Sequence, residues 1–296
     1  EIQAIAVTSG NPSPLVESLE NVIDVDYDYD EGQMFFNDDN RNEIFLVSNI
    51  SARSNLFTPS SPEVIVTNTD QALAIAYDWV HKVLYWIDSG KSTIELLTMK
   101  GRHRKTIVTN QYLRGGIAVD PRDDQKWVYW TNGGRIEKVG LNGFYRSLVV
   151  GGRDLGFLND LAIDYDGNSL YFTDSQYDAI HASDLDGQNV RVVIAGAKFT
   201  SMPYSIDVLG DLVYWDDKRT KGIYEVNKNI RCSDARTVRR ASTIPFGLRM
   251  YHATRQPKGS DPCGVNNGGC SHICLAAPAI GSRKKKFSCL CPDTGC

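Results

Sequence analysis

Cysteine is nearly absent from the first 262 residues of this 296-residue chain, where Cys232 stands alone. That excludes a disulfide framework there, so burial has to hold this part together. Long hydrophobic runs are missing as well. None approaches the roughly 18 apolar residues that a membrane span needs, which reads as a soluble piece, and no signal-peptide pattern follows Glu1, which suggests a mature fragment of something longer. Neither sign of charge dominates: 32 Lys and Arg against 36 Asp and Glu leave −4, a balance that argues against a nucleic-acid binder. Disorder is excluded too, because 42% hydrophobic and 23% charged residues can build a sizeable core. Catalytic signatures are wanting: there is no G-x-S-x-G elbow, no phosphate-cradling glycine loop and no H-E-x-x-H. The five histidines, His81, His103, His181, His252 and His272, are scattered.

What is present divides the chain in two. Cys263, Cys270, Cys274, Cys289, Cys291 and Cys296 crowd into the last 34 residues. The same stretch carries Arg283, Lys284, Lys285 and Lys286 against Asp293, a net +3, which leaves −7 for the rest. We therefore expect a large acidic domain over residues 1–262 and a small basic one over 263–296.

The large part repeats. Five segments share an aromatic pair followed by a polar turn: Phe35-Phe36-Asn37-Asp38, Tyr85-Trp86-Ile87-Asp88, Tyr129-Trp130-Thr131-Asn132, Tyr171-Phe172-Thr173-Asp174 and Tyr214-Trp215-Asp216-Asp217. Their spacings of 50, 44, 42 and 43 residues suit four short strands per unit, the size of a propeller blade. An apolar strand ending in Asp precedes each pair, as in Gly116 to Asp120 and Asp160 to Asp164. An alternating strand and a turn ending in Gly follow, as in Leu141-Asn142-Gly143 and Leu185-Asp186-Gly187, and a β-branched strand such as 104–108 or 190–194 closes the unit.

In the small part the string is C-x6-C-x3-C-x14-C-x-C-x4-C. The single-residue gap between Cys289 and Cys291 fits zinc spacing poorly, and six cysteines allow 15 pairings that spacing does not decide. A domain of this size needs its bridges, and they point to an oxidising compartment. Asn49-Ile50-Ser51 is a glycosylation sequon that agrees with it.

These repeats resemble the YWTD repeats of low-density-lipoprotein-receptor-type β-propellers, and Asn266 to Cys274 resembles the EGF-like modules that follow them. The resemblance covers essentially the whole chain. It implies an all-β fold, a six-bladed propeller plus a small disulfide-rich EGF-like domain, with pairs Cys263–Cys274, Cys270–Cys289 and Cys291–Cys296. Ser260-Asp261-Pro262 lacks the acidic pattern of calcium-binding EGF modules, so neither a metal nor any cofactor is expected. Only five motifs are visible. Residues 1–7 and 14–19 read as the third and fourth strands of a sixth blade, with its motif strand before Glu1 and its innermost strand at 246–251, so that the two ends of the chain close the ring.

The repeated aromatic and Asp residues read as packing and turn caps, with Asp also tying blades together. A ligand face is sought where the blades differ, in the loops that lead into each innermost strand: Asn21, Leu73, Gly115, Asn159, Tyr204 and Phe246, with Arg114 and Phe157 beside them. Aromatics, an Arg and two amides suit a peptide or loop. In relatives that act as Wnt co-receptors or agrin receptors, an aromatic-Pro-Asn-Gly turn at this place grips an Asn-x-Ile-type loop. Phe157-Leu158-Asn159-Asp160 matches its aromatic and its Asn. The acidic run from Asp24 to Glu31 reads as a solvated strand leading into a turn, the basic loop 283–286 as solvated charge, the histidines as ordinary ones and Cys232 as an idle thiol.

The resemblance implies a non-enzymatic module of an endocytic or signalling receptor, the extracellular part of a single-pass plasma-membrane protein. Its expected partners are secreted protein ligands, other modules of the same receptor at low pH, and a folding chaperone of the YWTD-propeller type. A nidogen-like matrix protein and a metal-dependent propeller hydrolase are the alternatives.

Overall fold

The structure, a computed structural model, describes residues 1–50, 59–109, 113–196, 198–230, 235–280 and 286–295. Strands alternate with tight turns throughout. A two-stranded sheet of β1 (Ile2–Ile5) and β2 (Pro12–Val16) comes first. Five four-stranded antiparallel sheets follow, each meandering from the inside outwards. Blade 1 holds β3 (Val22–Asp28), β4 (Gln33–Asp38), β5 (Glu43–Ser48) and β6 (Glu63–Val66). Blade 2 holds β7 (Ala72–Asp78), β8 (Val83–Asp88), β9 (Thr93–Thr98) and β10 (Arg104–Val108). Blade 3 holds β11 (Ile117–Asp120), β12 (Trp127–Thr131), β13 (Arg135–Gly140) and β14 (Ser147–Gly151). Blade 4 holds β15 (Leu158–Asp164), β16 (Ser169–Asp174), β17 (Ala179–Asp184) and β18 (Arg191–Ala195), and blade 5 holds β19 (Pro203–Leu209), β20 (Leu212–Asp217), β21 (Gly222–Asn227) and β22 (Arg236–Arg240). A last two-stranded sheet, β23 (Ile273–Ala276) with β24 (Phe287–Leu290), follows.

The motif pairs lie on the second strands, and the two-residue period of a strand sends their rings to opposite faces. The first aromatic of one blade therefore shares a wedge with the second aromatic of the next: Phe35 with Trp86, Tyr85 with Trp130, Tyr129 with Phe172, and Tyr171 with Trp215. All are at most 2% exposed, and each such side chain contributes about 1.5–3 kcal/mol through burial. Polar side chains stitch two of the seams: Asn37 donates to the Ala72 carbonyl and Thr173 Oγ1 to that of Tyr204, so in blades 1 and 4 the third motif position ties neighbouring blades, whereas Thr131 and Asp216 accept N–H groups of their own blades. The fourth acts within its own blade. Asp38, Asp88, Asp174 and Asp217 each accept backbone N–H groups from the incoming loop, and Asp88, Asp174 and Asp217 also cap the turn that follows. Turn glycines fit for two reasons at once: Gly187 has φ +83°, and a Cβ there would lie 1.8 Å from the Val149 carbonyl of blade 3.

The inner strands stand side by side in the order β3, β7, β11, β15, β19. Residues 246–252 fill the gap from β19 back to β3. Gly247 N donates to Ser205 Oγ (3.1 Å) and Met250 N to Asp207 Oδ2 (2.8 Å), while Tyr27 Oη donates to the Met250 carbonyl (2.6 Å). Ile2 and Val16 pack outside this segment with Phe36 and Tyr27, and Arg239 holds the β1–β2 turn through the Gly10 carbonyl. The expectation of six blades is corrected accordingly: the described residues form five full sheets. Residues 246–251 form no strand, because this chain supplies no aromatic-pair strand for them to pair with, and side chains take their N–H groups instead.

Disulfides join Cys263 to Cys274 and Cys270 to Cys289. Cys296, the expected partner of Cys291, lies outside the described residues, as do Cys232 and 283–285 of the basic loop. Ile273 and Leu275 enter the wedge core between blades 2 and 3. The Asp293 carboxylate accepts from Thr106 N and Oγ1 at 2.7 Å and pairs with Lys105 at 2.8 Å, and Asn142 donates to Ser288 Oγ.

Candidate protein-binding face

The loops that lead into the inner strands and the turns after the second strands meet at one end of the ring. A recurrent backbone bond joins them: Asp39 N donates to the Asn21 carbonyl, Ser89 N to Gln71, Ser175 N to Phe157 and Lys218 N to Met202. The disulfide module packs on the turns after β9 and β13, at the opposite end, and leaves this face open.

Of the residues expected to form a ligand site, the structure brings Asn159, Tyr204 and Phe246 together. Asn159 Nδ2 donates to the Pro203 carbonyl at 2.9 Å, so part of its amide serves the seam between blades 4 and 5. Tyr204 and Phe246 meet edge to face at 5.9 Å. Phe157 projects beside them, 65% exposed. Asn21, Leu73 and Gly115 hold equivalent positions on blades 1 to 3 and are half-buried; Arg114 is exposed. Asn49 is exposed on the turn after β5.

Sequence reasoning missed Lys218. Its ammonium lies 3.0 Å from the Tyr204 ring centre and 4.2 Å from that of Phe246, a cation held on two π faces. Burial lowers its pKa to about 8 against the pull of Asp216. Asp216 lies beneath it, raised to about 8 chiefly by burial; one oxygen accepts from Ser205 N and the other has no hydrogen-bond partner. The signal was in the sequence: Asp39, Ser89, Gly133 and Ser175 follow the other four motifs, and Lys218 is the only cation in that column.

The central channel is filled by charge. Asp24, Asp26, Asp160 and Asp207 each accept a backbone N–H from the next element round the ring, at Ile75, Tyr77, Ile206 and Met250. Arg249 reaches across to Asp24 at 3.0 Å and Asp160 at 3.4 Å. Below it Arg255 pairs with Asp207 at 2.5 Å and stacks over Tyr165. Burial raises the Asp24 and Asp160 carboxyl groups while the guanidinium opposes it, and Asp26 is raised to about 6 by burial. The remaining cavity of about 40 Å³ has room for a few waters at roughly 10–15 Å³ each.

The reading of the acidic run as a solvated strand is corrected here. It is the innermost strand of blade 1, and Asp24, Asp26 and Asp28 are used in seams and ion pairs rather than hydrated. The channel carboxylates that a hydrolase would turn to a metal are engaged by arginines and backbone. His181 is buried, His81 is half-buried with its side chain 4% exposed, and His252 is exposed and caps a short 3-10 turn at Ala253–Arg255.

No protein-family model matches the chain. Over 99% of its length it is 31% identical to low-density lipoprotein receptor-related protein 8 of Homo sapiens, and it spans 30% of that relative. Among solved structures it resembles one from a nidogen/laminin complex, with a TM-score of 0.64 and 20% identity over 76% of this chain and 83% of the other. It also resembles virginiamycin B lyase from Staphylococcus aureus, with a TM-score of 0.55 and 12% identity over 77% and 73%. Those two likenesses show the ring architecture alone, which binding proteins and enzymes share. A likeness that runs through all five repeats and on into the disulfide module makes the chain a non-enzymatic, extracellular YWTD propeller segment of the low-density lipoprotein receptor-related family.

Proposed function

We propose that this propeller is a docking platform for secreted protein ligands, which seat on blades 4 and 5 beside the closing segment. One observation carries the reading: at this end of the ring, blades 4 and 5 and the closing segment leave large apolar side chains exposed, with Phe157 at 65%, Tyr177 at 49%, Phe246 at 43% and Met202 at 41%. Large apolar groups left in water at one end of a ring mark a surface that a partner covers, and aromatics are the usual anchors of such interfaces. Asn159, Tyr204 and Phe157 form the centre of this site, with Arg114, Leu73 and Asn21 at its far rim.

Around that reading stands a coarser frame. Residues 1–262 form the ring and 263–296 the EGF-like module, and the two-stranded sheet with 246–252 occupies the place of a sixth blade. The parent protein is a single-pass endocytic or signalling receptor; no helix among the described residues is long and apolar enough to cross a membrane. Asn49 carries a glycan, a dedicated chaperone assists folding, and other modules of the receptor compete for the face at low pH. The test is capture of secreted proteins by the full chain, comparing wild type with Asn159→Ala and with Phe157→Ala/Phe246→Ala. Partners kept by wild type and lost by the double variant support the face; equal capture by all three removes it.

A further inference from the structure

The geometry points to an acidic protein segment as what this face recognises, with Lys218, Arg219, Lys221 and Arg240 supplying the complementary charge; the inference rests on the docking face proposed above. Blade 5 departs from the rest of the propeller in its charge. Segments 218–222 and 236–246 hold Lys218, Arg219, Lys221, Arg236, Arg239 and Arg240 and no Asp or Glu. The fold brings the two segments together: Arg240 pairs with Gly222 across β21 and β22, and Ala241 N donates to the Lys221 carbonyl at 2.8 Å. The β20–β21 turn and the end of β22 thus make one corner, on the same end of the ring as Phe157, Met202 and Phe246.

On other blades many cations answer carboxylates, Lys82 with Asp28, Lys91 with Asp88, Arg104 with Glu95, Arg122 with Asp120 and Arg146 with Glu137, while Lys138 and Arg191 lie over aromatic rings. Among the described residues of these two segments Arg236 alone makes an ion pair, with Glu225 at 2.7 Å, and Lys218 has the buried Asp216 beneath it. Arg239 and Lys221 donate to the carbonyls of Gly10 and Ser242, which leaves their charges uncancelled. Arg219, Lys221 and Arg240 are exposed. In a ring whose sequence carries −7, a concentration of uncancelled positive charge has to be explained by something outside the ring.

The company it keeps selects the partner. Lys218 presents its ammonium on the faces of Tyr204 and Phe246, half out of water, where solvation is weakest and a carboxylate gains most. Apolar Met202 and Phe246 adjoin the cations. A segment that offers carboxylates flanking one large apolar side chain satisfies both; a sulfated polysaccharide would leave the apolar part uncovered.

The full chain is tested by fluorescence anisotropy against a labelled peptide in which Asp and Glu flank a Leu-Phe pair. Its amide counterpart, with Asn and Gln in place of the acids, and a heparin oligosaccharide serve as comparators. Wild type should prefer the acidic peptide to both, and more so at low salt. Arg219→Gln/Lys221→Gln/Arg240→Gln should weaken binding about tenfold with its melting temperature unchanged, since only exposed charge is removed. No binding by wild type, equal binding of the amide peptide, equal affinity of the triple variant, or preference for heparin each overturns the inference. If the triple variant still captures the secreted partners that Phe157→Ala/Phe246→Ala loses, the docking face stands and the acidic ligand falls.

Discussion

Replacing Arg249 with Met tests the channel at its centre. The guanidinium is buried and spans two carboxylates, Asp24 at 3.0 Å and Asp160 at 3.4 Å, each of which also holds a backbone N–H of the next blade. Met fills similar volume, so the loss is electrostatic. Removing one partner of a buried pair costs about 3–5 kcal/mol. For a ring of this size each kcal/mol lowers the melting temperature by about 2–4 °C, so thermal unfolding followed by circular dichroism should show a fall on the order of 10 °C at pH 8. The pH dependence supplies the sharper check. Both carboxyl groups are already raised above their ordinary value, and loss of the cation raises them further. A carboxyl raised in the folded state binds its proton before the unfolded chain does, so its contribution is present at low pH and lost as pH rises through the folded value. The deficit of the variant should therefore shrink between pH 8 and pH 5. A deficit under about 2 °C, or one that does not change with pH, would refute the reasoning.

Asp174 accepts N–H groups from Gly156, Gln176 and Tyr177; Asp174→Ala should cost about 1–3 kcal/mol in chemical unfolding, and Asp174→Asn, the residue that blade 3 carries at Asn132, clearly less. Burial opposes protonation of His81, but Asp78, 2.6 Å away, prevails and raises it. That stabilisation is fully present below about pH 6.5 and lost as pH rises through the folded value, so the destabilisation of His81→Gln should be largest in acid and fade towards alkaline pH, with the His81 titration followed by NMR. Leu275→Ala removes a side chain 1% exposed in the wedge core; a cost of about 2–5 kcal/mol should show as proteolysis near residues 257–262 while blade cores keep their hydrogen-exchange protection.

The blades were legible because each motif carries its own geometry. An aromatic pair on a strand must point both ways, so Phe35 and Phe36 already imply a wedge on either side, and the glycine of Leu185-Asp186-Gly187 already implies a turn with positive φ. The face was partly legible: repeat register alone places Tyr204 beside Asn159. What escaped were residues whose partners come from far along the chain. Nothing near Asp24 signals that Arg249 will neutralise it, so an alternating acidic run looked hydrated. Lys218 escaped for a different reason, because it stands one place outside the repeated tetrapeptide, where departures from the pattern first become visible.

The Arg249 bridge also sets a timetable. Arg249 and Asp24 are 225 residues apart, so at about 5–20 residues per second the first-made inner strand waits roughly 10–45 s for the cation that neutralises it. During that interval the ring is a crescent with two open sheet edges and a row of carboxylates facing an empty axis. Contacts so distant in sequence are slow to form. The vulnerable species is therefore the ring whose inner strands are made but whose residues 246–256 are not yet in place, and that stretch acts as the clasp.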